Sequence, residues 1–392
     1  MTNRSSQAVP VFLAFLAMGF ADAMGPFVSL AKQQFSLSNF AAQLIAFTGF
    51  IMFGIVSVPM GLYQDKKGKK FVLLLGLGIM LAGVLIPAVF GFSTFPVFLL
   101  TVLLLGAGAT TLQVAGNPIM RDVSPEGAYA SNLSMGQFVK AIGSLSGPVI
   151  PVVAARWFGV SWGVIFPVYS VAIAIALAAA ATLHVGKAKA KADHRAATLG
   201  SCLGLLRSGF VLTMVVGIFL YVGAEVSVSA NIPLYLKERF GVDIEKLGLL
   251  GTGLFFAALT VGRFSGGVVL RWIAPRTFLR ITSALSIVGL LGLFVPSKVV
   301  ATAAFALVGL GFANVFPLIF SMTVDRMPEE SDSLSGLLVM AIVGGAFLPP
   351  LMGFLSDATG SVRTGFVVPL AALVYIAWVG LAGATAEKAA EA

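Results

Sequence analysis

Between two long apolar runs the chain reads Gly61-Leu62-Tyr63-Gln64-Asp65-Lys66-Lys67-Gly68-Lys69-Lys70. A glycine is followed four residues later by an aspartate, and then by a basic-glycine-basic turn. Glycine at position 68 permits a turn with positive φ. Asp65 can cap a helix N-terminus or pair with a base. Its expected partner is Arg121, at the end of another apolar run. The plainer alternative is a basic loop that only sets which way the flanking runs cross a membrane.

The rest of the chain has the composition such a loop requires. Of 392 residues, 58% are hydrophobic and 10% are charged, with a mean hydropathy of +0.99. Soluble domains carry about 25% charged residues, so lipid must solvate much of this surface. Cys202 is the sole cysteine, and the histidines are His184 and His194. No intrachain disulfide is possible, and metal clusters or Cys/His catalysis have almost no ligands to draw on. The net charge of +9 sits in short loops beside apolar runs. It therefore points to membrane orientation rather than to nucleic acid.

A membrane span needs about 20 mostly apolar residues. Twelve are predicted, at 10–31, 39–63, 70–92, 95–120, 129–155, 161–185, 209–235, 245–271, 277–296, 299–322, 333–355 and 363–385. The first is read as a retained span rather than a cleaved signal. The fold class expected is an all-α membrane protein of two pseudo-symmetric six-helix bundles, 1–185 and 209–392, joined by a polar linker, 186–208. Lys66, Lys67, Lys69 and Lys70, the linker bases, and Arg271, Arg276 and Arg280 fall in alternate loops. Both chain ends are then expected in the cytoplasm of a plasma (inner) membrane protein.

A weak internal repeat supports the division. Lys32, Phe35 and Ser38 are answered by Lys237, Phe240 and Asp243, each 205 positions on. Gly19-Phe20-Ala21-Asp22 is answered by Gly223-Ala224-Glu225, and Ala141-Ile142 by Ala341-Ile342. In the second half Arg271 stands where Asp65 stands in the first. Asp325, at the end of span 10, could supply the opposite charge in a latch of reversed polarity.

Ionisable residues stand in the middle of predicted spans: Asp22 in span 1, Lys140 in span 5 and Glu225 in span 7. A charge at the bilayer centre costs roughly 2.5–3.5 kcal/mol on insertion scales, so it faces the bundle interior and tends to mark a substrate or ion path. Gln137, Ser144 and Ser134 share a helical face with Lys140, and Gln113 shares one with Asn117 in span 4. A static ion pair with polar helix contacts is the bland alternative.

The Gly61–Lys70 loop resembles the signature loop of the major facilitator superfamily. Longer runs resemble its fucose permease branch, the fucose–galactose–glucose proton symporters. They are Gly19-Phe20-Ala21-Asp22 with Pro26, Gln34 to Phe40, and Leu112-Gln113-Val114-Ala115-Gly116-Asn117-Pro118. They continue with Tyr221 to Glu225, Gly262-Arg263-Phe264-Ser265-Gly266, and Phe316-Pro317 through Met340–Gly345 to Met352-Gly353. The resemblance implies that Asp22 is the span 1 carboxylate of proton coupling and substrate binding. It implies that Gln137 is a sugar-site glutamine, and that Gln113 stands as in the glucose/galactose relatives. Lys140 departs from the family, which typically has asparagine there.

The expected function is secondary active transport: proton-coupled symport of a hexose-like sugar by alternating access, with no enzymatic activity and no cofactor beyond a proton or sodium ion. Asp22 and Lys140 are expected to carry coupling. Asp22, Gln113, Asn117, Gln137, Lys140 and Glu225 are expected to bind substrate. Gly61, Asp65, Gly68, Arg121, Arg271 and Asp325 are expected to form conformational latches. In the coupling cycle, protonating Asp22 releases Lys140 to a substrate oxygen or to Glu225. The expected partners are a small sugar-like molecule and the lipid bilayer, with the carrier a monomer that binds no nucleic acid. Two alternatives stand: a cation-coupled carrier of a sugar acid or other organic anion, and a channel or membrane enzyme. Neither ring-forming symmetry nor a nucleophile–base pair supports the latter.

Overall fold

The computed structural model describes residues 4–22, 24–91, 94–123, 129–183, 199–243, 249–270, 272–327 and 330–390. Among them the regular structure is helical. Span 1 is broken into α1 (Arg4–Ala21) and α2 (Met24–Gln34). Spans 2 to 6 are α3 (Asn39–Lys67), α4 (Lys69–Phe90), α5 (Phe95–Val123), α6 (Tyr129–Val153) and α7 (Ile165–Ala181). The short α8 (Leu199–Gly204) precedes α9 (Gly209–Phe240), α10 (Leu249–Val269) and α11 (Pro275–Gly292), which are spans 7 to 9. Span 10 is α12 (Lys298–Phe312) with α13 (Val315–Arg326). Span 11 is α14 (Ser331–Met340) with α15 (Gly344–Thr359), and span 12 is the short α16 (Val362–Gly365) leading into α17 (Val367–Ala390).

Ten helical stretches among the described residues have the length and apolarity to cross a bilayer, and Val9–Ala21 is a shorter apolar helix. With α11 as the ninth span, these account for the predicted twelve. Outward faces carry large apolar side chains such as Ile55, Val89, Val171, Val288 and Leu351. Acyl chains accept that surface, whereas water would not.

The packing repeats. Span 1 lies against spans 4, 5 and 6, as span 7 lies against spans 10, 11 and 12. Span 4 packs on spans 2 and 3, as span 10 packs on spans 8 and 9. Between the halves, span 2 meets span 11 and span 5 meets span 8, while α2 meets α9. Those two main crossings exchange under the same repeat, so the halves are pseudo-symmetric about the space between them.

Two glycine pairs draw the helices together. A Cβ on Gly19 would lie 2.1 Å from the carbonyl oxygen of Lys140, and one on Gly143 would lie 2.2 Å from that of Leu16. In the second half, a Cβ on Gly344 would strike the carbonyl of Phe219, and one on Gly223 would stand 2.8 Å from that of Gly344. Spans 1 and 5, and spans 7 and 11, thus meet backbone to backbone, as small residues allow inside a membrane.

The sequence predicts continuous spans, but among the described residues three are interrupted in mid-bundle, besides the break of span 12 at Phe366 near its start. Span 1 stops at Asp22, whose N–H turns back to the Gly19 carbonyl at 3.1 Å. Span 10 turns at Ala313-Asn314, and span 11 tightens into a 3₁₀ segment, Ala341–Val343. Irregular backbone is tolerated at membrane depth only where protein or a cavity receives it. All three interruptions lie beside the central cavity described next.

Candidate functional site

Asp22 ends α1, and the Gly19–Gly143 approach fixes it against α6. There the Lys140 ammonium lies 3.1 Å from Asp22 Oδ2. Ser144, one turn along α6, donates to the same oxygen at 3.3 Å. Neither side chain is sealed off: Asp22 is 21% exposed and Lys140 12%. The pair therefore stands on a cavity wall.

A second pair faces it from the other half. Arg263 on α10 lies 3.6 Å from Glu225 Oε1 on α9. Arg263 also donates across the interface to the Gln137 carbonyl oxygen at 3.4 Å. Asp22, Lys140, Glu225 and Arg263 line one cavity between the halves. Two cations and two carboxylates around one cavity balance each other, which lowers the cost of holding any of them there.

Gln113, Gln137, Tyr221 and Ser229 add further polar groups to the wall. Phe50, Phe53, Phe256 and Phe316 supply apolar faces, with Pro317 and Ile342 from the interrupted spans 10 and 11. Small-molecule sites have this mixture of apolar walls and a few placed polar groups. It suits a ligand with an apolar ring face and polar edges.

Of the residues expected to bind substrate, Asp22, Gln113, Gln137, Lys140 and Glu225 come together in this cavity. Asn117 does not line it: it is buried one turn further along α5, with Oδ1 lacking a hydrogen-bond partner among the described residues. Glu225 is not a free acceptor waiting for Lys140, because Arg263 already engages it.

Arg263 is the residue that sequence reasoning missed. It lies inside the predicted span 245–271, so it met the same intramembrane-charge criterion as the other three. The neighbouring break in span 10 serves it: Asn314 Nδ2 donates to the Gly262 carbonyl at 2.8 Å.

The residues expected to form latches are only partly visible. Gly68 adopts φ +89° between α3 and α4, the positive φ expected of that turn. Gly61 lies within α3 with open space around it. Asp325 is exposed near the end of α13, and its neighbour Arg326 lies over the Phe210 ring at 4.3 Å. The side chains of Asp65 and Arg121, and Arg271 altogether, lie outside the described residues.

The family model of the Major Facilitator Superfamily matches residues 11–342. The chain belongs to that superfamily. As a superfamily member it is a multi-pass membrane carrier and not an enzyme. Among its relatives, the glucose/galactose transporter of Brucella abortus biovar 1 (strain 9-941) is 27% identical over 382 residues, covering 95% of this chain and 92% of that protein. The L-fucose-proton symporter of Escherichia coli (strain K12) is 25% identical over 370 residues, covering 86% of this chain and 84% of that one. The crystal structure of the major facilitator transporter FucP in the outward conformation matches with a TM-score of 0.73 at 23% identity, covering 97% of this chain and 98% of that one. This last likeness is one of fold.

Proposed function

We propose that this superfamily member is a proton-coupled symporter of a neutral, hexose-like sugar. The observation that carries the reading is a cavity between the two halves holding two ion pairs, Asp22–Lys140 from one half and Glu225–Arg263 from the other. The relatives named for glucose/galactose and fucose–proton transport support the sugar and the proton.

The cycle turns on Asp22. Ionised, it holds Lys140. Protonated, it releases the ammonium, and a substrate hydroxyl oxygen accepts from Lys140 in its place. The cavity's other carboxylate among the described residues, Glu225, stays engaged by Arg263. An empty protonated carrier leaves Lys140 unpaired in a closed cavity, which is costly, whereas sugar and proton together, or neither, avoid that cost. That inequality couples the two fluxes. Gln113 and Gln137 supply the further donors and acceptors that a polyhydroxyl ligand needs.

Residues 1–185 and 209–392 rock as two bundles about this site, joined by a linker at 186–208. The carrier works as a monomer in the plasma (inner) membrane, with both ends of the given chain in the cytoplasm. The lysines flanking the Gly68 turn support that orientation. Asp65 with Arg121, and Arg271 with Asp325, serve as cytoplasmic latches.

Lys140 favours one second reading, a sugar acid whose carboxylate takes the place of Asp22. A labelled panel of neutral hexoses and their sugar acids, in proteoliposomes under separate pH and sodium gradients, tests the choice. The proposal expects accumulation of a neutral hexose driven by the pH gradient. Accumulation of sugar acids alone, or drive by sodium alone, would overturn it.

A further inference from the structure

Asp357 lies away from the cavity, in the last turns of α15, and bridges the two halves at their rim. Its carboxylate sits on the first turn of α3. Oδ1 accepts from the Asn39 backbone N–H at 3.2 Å and from Asn39 Nδ2 at 2.6 Å, and Oδ2 accepts from the Phe40 N–H at 2.8 Å. The next amide, Ala41, is taken by the Ser38 hydroxyl at 3.1 Å. The first amides of a helix have no partner within it, and its dipole favours an anion there. Asp357 meets both needs for a helix that belongs to the opposite half.

The contact extends on both sides. Asn39 Oδ1 accepts from the Lys32 ammonium at the end of α2, so a cation, an amide and a carboxylate join spans 1, 2 and 11. Glu238, at the end of α9, accepts from Ser361 Oγ and from the Val362 N–H, each at 2.9 Å, and so anchors the turn after α15. About one turn deeper, Gln43 Nε2 donates to Asn231 Oδ1 at 3.1 Å, again across the halves. Gln43 Oε1 and Ser227 Oγ are buried there without hydrogen-bond partners among the described residues.

This cluster is at the end of the bundle opposite the Gly68 turn. When the halves part at that end, Asp357 must leave α3, and Gln43 must leave Asn231. We propose that Asp357 and Asn39 form the outer latch of the carrier, closed in this structure and broken in each cycle to admit substrate. Gln43–Asn231 is the second layer of that gate. The buried atoms left unpaired in that layer gain water once the gate opens. The inference rests on the alternating-access reading and the orientation given above.

A cysteine reporter separates the possibilities. In a Cys202→Ser background, Val226→Cys on the cavity wall is labelled with a membrane-impermeant maleimide in right-side-out and inside-out vesicles. Asp357→Asn and, independently, Asn39→Ala are expected to raise labelling from the outer side at least fivefold and to lower it from the inner side. A lower melting temperature with an unchanged outer-to-inner ratio would make Asp357 a plain helix cap and overturn the latch. Labelling that stays confined to one side in every variant, with and without sugar, would instead overturn the alternating-access reading and the latch with it.

Discussion

Lys140 Nζ lies 3.1 Å from Asp22 Oδ2 because Gly19 and Gly143 let their helices touch through the backbone. The charge pair is thus a product of packing as much as of attraction. Substituting Gly19→Ala or Gly143→Ala should push the helices apart, at a cost on the order of 1–3 kcal/mol from overpacking. Both a lower melting temperature in detergent and loss of uptake are expected. Gly78→Ala, with nothing within 4 Å of its added Cβ, should leave both unchanged.

The second pair predicts a partial rescue. Arg263→Gln strands the Glu225 carboxylate. Removing one partner of a fully buried pair costs about 3–5 kcal/mol, and the 10% and 16% exposure of these side chains places this one at the lower end. Uptake should fall by about 150-fold. Adding Glu225→Gln removes the stranded charge and should recover about tenfold, seen in initial rates measured side by side. No recovery would show that the two residues act apart.

Much of this arrangement was legible in the residues. Twelve apolar runs predict twelve spans because lipid imposes a length and a composition on each. Asp22, Lys140 and Glu225 declared themselves because a charge in a span is costly unless it is used. The three interruptions were not legible. Asn314 and Ala341–Val343 sit inside apolar runs whose hydropathy is the same straight or broken, and only packing against a cavity decides between the two. Asn117 shares the helix face of Gln113, but the face continues past the cavity and into protein. Arg263 could have been found by the rule that found Lys140.

Gln113 offers a gentler perturbation. It lines the cavity without belonging to either ion pair. Gln113→Ala should remove about one substrate hydrogen bond, a net of about 1 kcal/mol, and raise KM by about fivefold. Maximal uptake rate should stay within about twofold. A collapse in rate at unchanged KM would assign Gln113 to the conformational cycle instead.

The cytoplasmic latch of the second half calls for a charge exchange. Asp325 is exposed near the end of α13, on the side expected for Arg271. Arg271→Asp and Asp325→Arg should each impair uptake, and the double exchange should restore most of it. Failure of the exchange to rescue would separate the two residues.

The central claim is that Asp22 carries the proton that drives the sugar. Asp22→Asn, reconstituted in proteoliposomes, should still exchange labelled for unlabelled sugar at equal concentration on both sides, while losing accumulation driven by a pH gradient. Undiminished pH-driven accumulation by that variant would contradict the account.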